Sequence, residues 1–280
     1  MIKDILVYLE GNGEDKVRLA YGELIAGSHR AFLTGIYLNF LPDTIYVSGG
    51  GVLPMGNAIS SMQEKAMNDG DEVEKKLTKQ LDKLDLNSEL RRLDLTYAQA
   101  AFELTKEARA ADFMIATRPY NHETASPELL EAVLFNSGRG CLFVPPAIKP
   151  NGAIDKIVLA WKNTEETARA VSNAMPLMVA AGKVVIAIVD EKSKNKNKEL
   201  VAMPAADIAR HLNRHGIDVE ISHIDGFSNV SEALLNEVEK VNAKMLVMGG
   251  YGHSRFREWV MGGATRDVLS DAQIPVFISH

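Results

Sequence analysis

The chain has 280 residues, of which 46% are apolar and 24% are charged, and its formal net charge at pH 7 is −6. This length predicts about two domains, and these proportions are typical of water-soluble globular proteins. The acidic balance argues against nucleic acid as a general partner, because binding its phosphates needs a concentrated basic face. No apolar run reaches a length of about 20 residues, so we expect no membrane-spanning helix.

The first segments of the chain predict a cytoplasmic protein. Met1–Val7 has the pattern of a strand and lacks the features of a signal peptide. Cys141, the only cysteine, lies in the apolar segment Cys141–Val144, where we expect a buried strand and a thiol that packs as a small core side chain. A single cysteine excludes an internal disulfide, which agrees with a reducing compartment.

The first half of the chain contains strand patterns at Lys3–Asn12, Ala111–Thr117 and Gly140–Val144. Between them, Gly49–Gly51 predicts a loop, and Met62–Leu84 predicts a long helix whose interleaved charges indicate a solvated face. Three prolines and a glycine follow in Pro145–Gly152. That composition favours a stiff linker between two halves.

The second half repeats the order of the first. Strand patterns alternate with helical patterns, which predicts an α/β fold with a parallel sheet and helices on both faces. Thr164 is the expected N-cap of the helix that begins at Glu165. The matched segments are Lys3–Asn12 with Asp155–Thr164, Ala111–Thr117 with Ala243–Gly249, and Gly140–Pro145 with Ile274–Ile278; the further strands are Lys183–Asp190 and Ile217–Ile224, and the further helices are Ala202–His215, Val230–Val241 and Ala264–Ala272.

A glycine-rich turn follows the apolar strand Met245–Met248. Gly249 and Gly252 lie in this turn, and Gly262 and Gly263 open the next helical segment. Glycine allows the backbone to approach an anion closely, and a helix start offers unpaired N–H groups and partial positive charge. The sequence therefore predicts a phosphate-binding cradle at the carboxyl end of a strand, with a packing role for the glycines as the alternative.

The spacing of these glycines, G-x2-G-x9-G-G, resembles the ATP-binding signature of the universal stress protein family, G-x2-G-x9-G-[ST]. Together with the repeat, it makes the chain similar to tandem members of that family. The resemblance implies two tandem open-sheet domains of the adenine nucleotide alpha hydrolase-like type, at residues 1–148 and 153–280. Each is expected to have a parallel five-stranded sheet flanked by helices.

The resemblance also implies a ligand, which is ATP or another adenine nucleotide, bound in the second domain. Any magnesium would arrive with the nucleotide, and we assign neither a metal site nor a catalytic residue. Two positions depart from the family pattern: Gly263 stands where a Ser or Thr is usual, and Lys162 where an Asp is usual. The implied nucleotide-binding residues are Lys162, Gly249, Gly250, Gly252, His253, Ser254, Arg255, Gly262, Gly263, Ala264 and Thr265.

The first half lacks this cradle. Thr117 and Tyr120 stand at the positions of Gly249 and Gly252, and Glu128 lies where the second glycine pair would be. A carboxylate there would repel a phosphate, so we expect a structural role or a different ligand for this half. Glu10, the counterpart of Lys162, keeps the family's acid.

Three functions remain open from the sequence. The first is a stress-associated regulatory protein that binds an adenine nucleotide, with at most slow ATP hydrolysis. The second is an interaction protein that has lost the nucleotide. The third, an ATP pyrophosphatase-like enzyme, would need Asp and Ser where Val52 and Leu53 follow Ser48–Gly50. We expect the last strands of the halves, Cys141–Val144 and Val276–Ile278, to pair within one chain, and pairing between two chains is left open.

Overall fold

The computed structural model describes residues 1–43, 56–120, 126–189, 203–250 and 263–280. Within these ranges, strands and helices alternate through both halves. The strands are β1 (Asp4–Leu9), β2 (Phe32–Phe40), β3 (Ser88–Leu95), β4 (Phe113–Thr117), β5 (Gly140–Val144), β6 (Ile157–Ala160), β7 (Lys183–Val189), β8 (Asp218–Ile224), β9 (Met245–Gly249) and β10 (Val276–Ser279). The helices are α1 (Asp15–His29), α2 (Gly56–Leu81), α3 (Tyr97–Ala108), α4 (Pro127–Asn136), α5 (Glu165–Ala181), α6 (Met203–Arg214), α7 (Val230–Lys240) and α8 (Gly263–Asp271).

The ten strands form one sheet in the order β3-β2-β1-β4-β5-β10-β9-β6-β7-β8. Each half contributes five parallel strands in the same relative order, which confirms the predicted α/β class with a five-stranded unit in each half, and the two units join into one sheet. The strand order reverses between β1 and β4 in the first half, and between β6 and β9 in the second. Ligands of open α/β sheets bind at such reversals, outside the carboxyl ends of the strands.

The halves meet where β5 and β10 pair antiparallel, with Phe277 opposite Leu142 and Ile278 opposite Cys141. This is the pairing expected from the sequence, and we refer to β5 and β10 as the seam. Because the seam is antiparallel, the carboxyl ends of the strands lie on opposite edges of the sheet in the two halves.

The seam is packed around Phe277, which is fully buried. Its ring meets the ring of Phe113 edge to face, with centroids 5.8 Å apart. A Cβ atom at Gly140 would lie only 2.2 Å from its Cζ atom, so glycine leaves the space that the ring fills. Strand pairing also makes Leu142, not Phe143, the counterpart of Phe277, a register that the sequence alignment left open.

The helices cover both faces of the sheet. Side chains of α1, α2, α5 and α6 share one core, and those of α3, α4, α7 and α8 share the other. The central strands are buried on both faces, which explains their continuous apolar runs. In the described part of the chain, no helix is long and apolar enough to cross a membrane.

Predicted and observed bounds differ by a few residues at most helices. The largest difference is at α2, which begins at Gly56 instead of Met62 and ends at Leu81 instead of Leu84. The predicted solvated face is observed, since Glu72, Lys75, Lys76 and Lys79 are exposed. The opposite side of α2 is anchored by Leu77, which is fully buried.

Candidate functional site

The predicted cradle lies at the carboxyl end of β9, beside the reversal of strand order in the second half. α8 starts at the same edge of the sheet, because it leads the chain back to β10, which is parallel to β9. The structure describes six of the predicted site residues: Lys162, Gly249, Gly250, Gly263, Ala264 and Thr265. The others, Gly252, His253, Ser254, Arg255 and Gly262, lie outside the described residues.

Gly249 ends β9 and contacts the start of α5. A Cβ atom there would lie 2.6 Å from the backbone nitrogen of Thr167 and 2.7 Å from the carbonyl carbon of Glu166. Both are backbone atoms of the first turn of α5, so neither could turn aside as a flexible side chain does. Gly249 therefore has a packing role that does not depend on a ligand.

We expect Gly249→Ala to lower the free energy of unfolding by about 1–3 kcal/mol, because the added methyl group overpacks a backbone contact. Urea unfolding followed by circular dichroism measures this loss. Gly27→Ala is the matched control: Gly27 lies within α1 with none of the described atoms near its Cβ position, and alanine favours helix there. Equal stability of the two variants would contradict the packing role of Gly249.

Gly250 is also packed closely. Its N–H donates to the carbonyl of Ser279 at 2.8 Å, and a Cβ atom would lie 2.6 Å from Cγ2 of Ile278. The imidazole Nδ1 of His280 lies 3.1 Å from the carbonyl oxygen of Gly250, and the ring packs edge to face on Phe135 with centroids 4.5 Å apart. The sequence analysis did not predict the contact of His280 with Gly250. It could have been inferred only from β9 and β10 being parallel neighbours that end side by side.

Two helix starts flank the end of β9, and they differ in charge. α5 carries Glu165 and Glu166 in its first turn, and the side chain of Thr164 accepts a hydrogen bond from the backbone of Thr167, as the predicted N-cap should. The pKa of Glu166 is lowered, first by a hydrogen bond from its own backbone N–H. The positive end of α5 is therefore already neutralised by carboxylates.

The start of α8 is different, since its first turn contains no acidic residue. The first N–H groups of a helix have no partner within the helix, so this start can accept an anion. Gly263 is exposed, and among the described residues a Cβ atom there would meet only the Asp267 carboxylate, at 3.9 Å. Ala264 is half-buried, and Thr265 lies on the buried side of the turn.

Lys162 follows β6 at the edge of the cradle and is exposed. Strand pairing places Ile5 opposite Phe113 and Ile157 opposite Met245, so Glu10 and Lys162 occupy equivalent positions. The carboxylate of the first half and the ammonium of the second thus stand at the same place relative to their sheets. An ammonium there suits an anionic group of a ligand.

At the matching place, the first half holds a buried ion cluster, which we define as Glu10, Asn12, Asp15 and Arg18. The guanidinium of Arg18 is 1% exposed and lies 2.5 Å from Glu10 and 2.6 Å from Asp15. It also donates to Asn12 at 3.0 Å. By the same equivalence, the second half has the neutral Thr167 and Ala170 where the first has Asp15 and Arg18.

Helix α2 covers this cluster. Its Val73 packs against Gly11, where a Cβ atom would lie 2.6 Å from the Val73 side chain, and Lys76 donates to the Gly11 carbonyl at 2.7 Å. The carboxyl end of β1 is therefore occupied by the protein's own side chains. This arrangement gives a physical reason why the first half differs from the second, which the missing glycines alone do not supply.

A second set of polar side chains in the first half lies beyond the end of β4. The hydroxyl of Tyr120 donates to Glu131 at 2.5 Å, and burial raises the pKa of Glu131. Glu128 lies in the first turn of α4, the helix that corresponds to α8. The first turn of α4 thus carries a carboxylate, whereas the first turn of α8 contains no acidic residue.

The described residues contain no group of three or more His, Cys, Asp or Glu side chains that could hold a metal ion. Cys141 is fully buried in the seam, and burial raises its thiol pKa to about 12. Its side chain therefore packs in the core, as predicted.

An open parallel sheet with helices on both faces and a glycine-containing strand end at the reversal of strand order defines a doubly wound α/β protein. Within that class, residues 153–280 match the model of the Universal stress protein family. The second half of the chain is thus similar to the universal stress protein family.

Individual proteins show the same similarity. Universal stress proteins of Mycobacterium tuberculosis and Mycobacterium bovis are 30% identical to this chain over 95 residues, which cover 34% of this chain and 32% of those relatives. The chain thus matches about a third of the length of these curated relatives. The crystal structure of a universal stress protein from Archaeoglobus fulgidus has a TM-score of 0.64 at 18% identity, covering 98% of this chain and 95% of that one. A Pseudomonas aeruginosa protein described as a universal stress protein has a TM-score of 0.60 at 16% identity, covering 99% and 93%. Both likenesses span the two halves and bear on the fold.

Proposed function

We propose that the chain is a stress-associated regulatory protein whose second half binds one adenine nucleotide. The phosphates are placed at the start of α8, and the rest of the nucleotide lies toward the ends of β6 and β9. The observation that carries this proposal is the start of α8, which follows the family's glycine pattern and has no acid in its first turn. Lys162 supplies a cation at the same edge, and no residue is given a catalytic role.

We propose in addition that the chain divides into domains at residues 1–148 and 153–280. β5 ends at Val144 and β6 begins at Ile157, with neither helix nor strand between them. The backbone N–H of Ala147 donates to Glu14 of the loop before α1 at 2.9 Å, so the connection is tied to the first domain. The first domain is proposed to bind no nucleotide, because its ion cluster and α2 fill the end of β1.

A second candidate, an interaction protein without a nucleotide, is favoured by two observations. Gly249 and Gly250 both have close neighbours that account for glycine without a ligand. The carboxylate-bearing residue Glu166 also lies against Gly249 and would repel a nearby phosphate. Both candidates share the fold and differ in whether α8 receives an anion.

Calorimetric titration with ATP, ADP and AMP, each with and without magnesium, separates the two. One site per chain is the expected result. Two sites would contradict the assignment of the first domain, and no binding by any of the three would favour the interaction protein.

A pair of variants at Gly263 tests the location of the phosphates. The described residues around Gly263 leave room for a side chain, so we expect both Gly263→Ser and Gly263→Asp to fold. Serine restores a neutral hydroxyl donor and should tighten ATP binding, by about 0.5–1.5 kcal/mol. Aspartate favours a helix start but repels phosphate, so it should weaken or abolish binding. If the two variants bind ATP equally, the phosphates do not lie at the start of α8.

A further inference from the structure

Arg118 is a buried cation at the boundary between the halves. It directly follows β4, and only 8% of its surface is exposed. Its Nη1 atom donates to the carbonyl oxygen of Leu269 at 2.9 Å, and this is a buried bond across the seam. Among the described residues, Arg118 has no carboxylate within ion-pair distance, and its buried Nε atom has no hydrogen-bond partner. Burial lowers the pKa of Arg118, and the charge of Asp271 opposes that effect.

The bond has a clear role at the end of α8. The last four carbonyls of a helix have no partner within it, and cationic side chains stabilise them because that end of the helix is negative. The carbonyl of Val268 accepts a hydrogen bond from the backbone N–H of Ala272 at 2.9 Å. The carbonyl of Leu269 accepts instead from the guanidinium of Arg118. A residue of the first half therefore fixes the carboxyl end of a helix of the second half.

The second half has no matching side chain at the equivalent position, Gly250. Arg118 and Gly250 are equivalent, since each follows its strand and donates its N–H to the last strand of its own half, at 3.0 Å to Val144 and 2.8 Å to Ser279. Gly250 has no side chain to cross the seam. The end of α4 is instead held from within its own half, by Arg109, which donates to the carbonyl of Asn136 at 3.1 Å.

α8 is thus fixed at one end by Arg118 and carries at its other end the start to which the phosphates are assigned. The helix has only nine residues, about 13 Å from end to end, and its own side chains Val268 and Leu269 are fully buried against the sheet. We expect a shift of its carboxyl end to move its start as well, because hydrogen bonds within the helix join the two ends. A second contact across the seam supports it, since the guanidinium of Arg266 lies over the ring of Tyr120 at 5.5 Å.

We propose that Arg118 is a positioning residue for the ligand of the second half, so that nucleotide binding there depends on the first half. The inference rests on the proposed function for its ligand, but the hold of Arg118 on α8 does not. The first half then contributes to the site without touching the nucleotide.

The decisive measurement on the unaltered protein is hydrogen exchange with and without ATP. Binding should slow exchange in peptides covering residues 263–271 and also in peptides covering residues 113–120, because the two segments share the Arg118 bond. Peptides from β3, at the far edge of the first half, should not change. Protection of residues 263–271 without residues 113–120 would overturn the proposal.

Variants test the same bond without relying on ATP. In the absence of ligand, Arg118→Met should speed exchange at the end of α8 by about tenfold or more, since it removes a charge-assisted hydrogen bond. With ATP, it should weaken affinity by about fivefold or more, a usual size for coupling between sites. Arg118→Lys keeps the charge and a donor, so it should recover part of both losses.

Arg109→Met is the matched control, because it removes the same kind of helix cap within the first half. It should leave both the exchange of residues 263–271 and the ATP affinity unchanged. If Arg118→Met does not fold, Arg118→Gln replaces it, and because its amide keeps an N–H donor without the charge, the same changes should appear at a smaller size. A protein that binds none of ATP, ADP and AMP would end the proposed function, whereas unchanged exchange of α8 in the folded variant would overturn the role of Arg118 alone.

Discussion

Replacing Phe277 by lysine should lower the free energy of unfolding by more than about 3 kcal/mol, because the change removes a buried aromatic ring and buries an ammonium without a partner. Phe277 is fully buried between Phe113 and Gly140, and both neighbours belong to the first half. The loss should therefore open the boundary between the halves.

The thiol of Cys141 reports on that opening. It is fully buried, it is the only cysteine, and it lies opposite Ile278 in the seam. A thiol reagent should react slowly with the unaltered protein and faster with Phe277→Lys. The double variant Phe277→Lys/Ile278→Lys should also have a larger radius of gyration in small-angle scattering than the unaltered protein.

Ile221→Lys is the control for these variants. Ile221 lies on β8, the outer edge of the sheet, and is 43% exposed, so the same kind of substitution should cost less than about 0.5 kcal/mol. If Phe277→Lys matched this control in stability and thiol reactivity, the halves would not be held together at β5 and β10.

Removing the guanidinium of Arg18 should cost about 3–5 kcal/mol, since breaking a buried ion pair leaves an uncompensated charge. In Arg18→Ala, Asp15 would remain fully buried and lose the partner that lies 2.6 Å away. Urea unfolding measures the loss. Arg91→Met is the control: Arg91 pairs with Glu89 and Glu107 at the exposed sheet edge, where such pairs contribute little.

A second variant distinguishes the charge from the loss of volume. Asp15→Thr/Arg18→Ala copies the residues that the second half has at these positions, Thr167 and Ala170. Because it removes the buried carboxylate together with its partner, it should be more stable than Arg18→Ala alone. A double variant that is no more stable than the single one would show that packing, and not charge, accounts for the cost.

The repeat and the strand-helix alternation were enough to predict the fold class and the pairing at the seam. Both depend on patterns within single segments, namely apolar runs buried on two faces and turn residues between them. Helix bounds were less accurate, as at α2, because Gly56 begins a helix that its composition does not favour.

The details of the site depend on contacts between distant segments. A glycine in the sequence does not show whether a ligand or another backbone approaches it, and at Gly249 the neighbour is α5. Arginine is usually exposed, yet Arg18 and Arg118 are both buried. The partners of Arg18 lie in the loop before α1 and in its first turn, and the partner of Arg118 lies in the other half. The positions between residues 251 and 262 stay predictions from the family pattern.

The unequal residues of the seam also restrict which chains can assemble. Gly140 leaves the space that Phe277 fills. Strand pairing makes Pro275 the residue of the second half that is equivalent to Gly140. Two second halves pairing in this register would set a proline ring against each Phe277. Produced as separate polypeptides, a first half and a second half should therefore recombine with each other in preference to forming pairs of identical halves, which makes the chain suited to reassembly as a split protein.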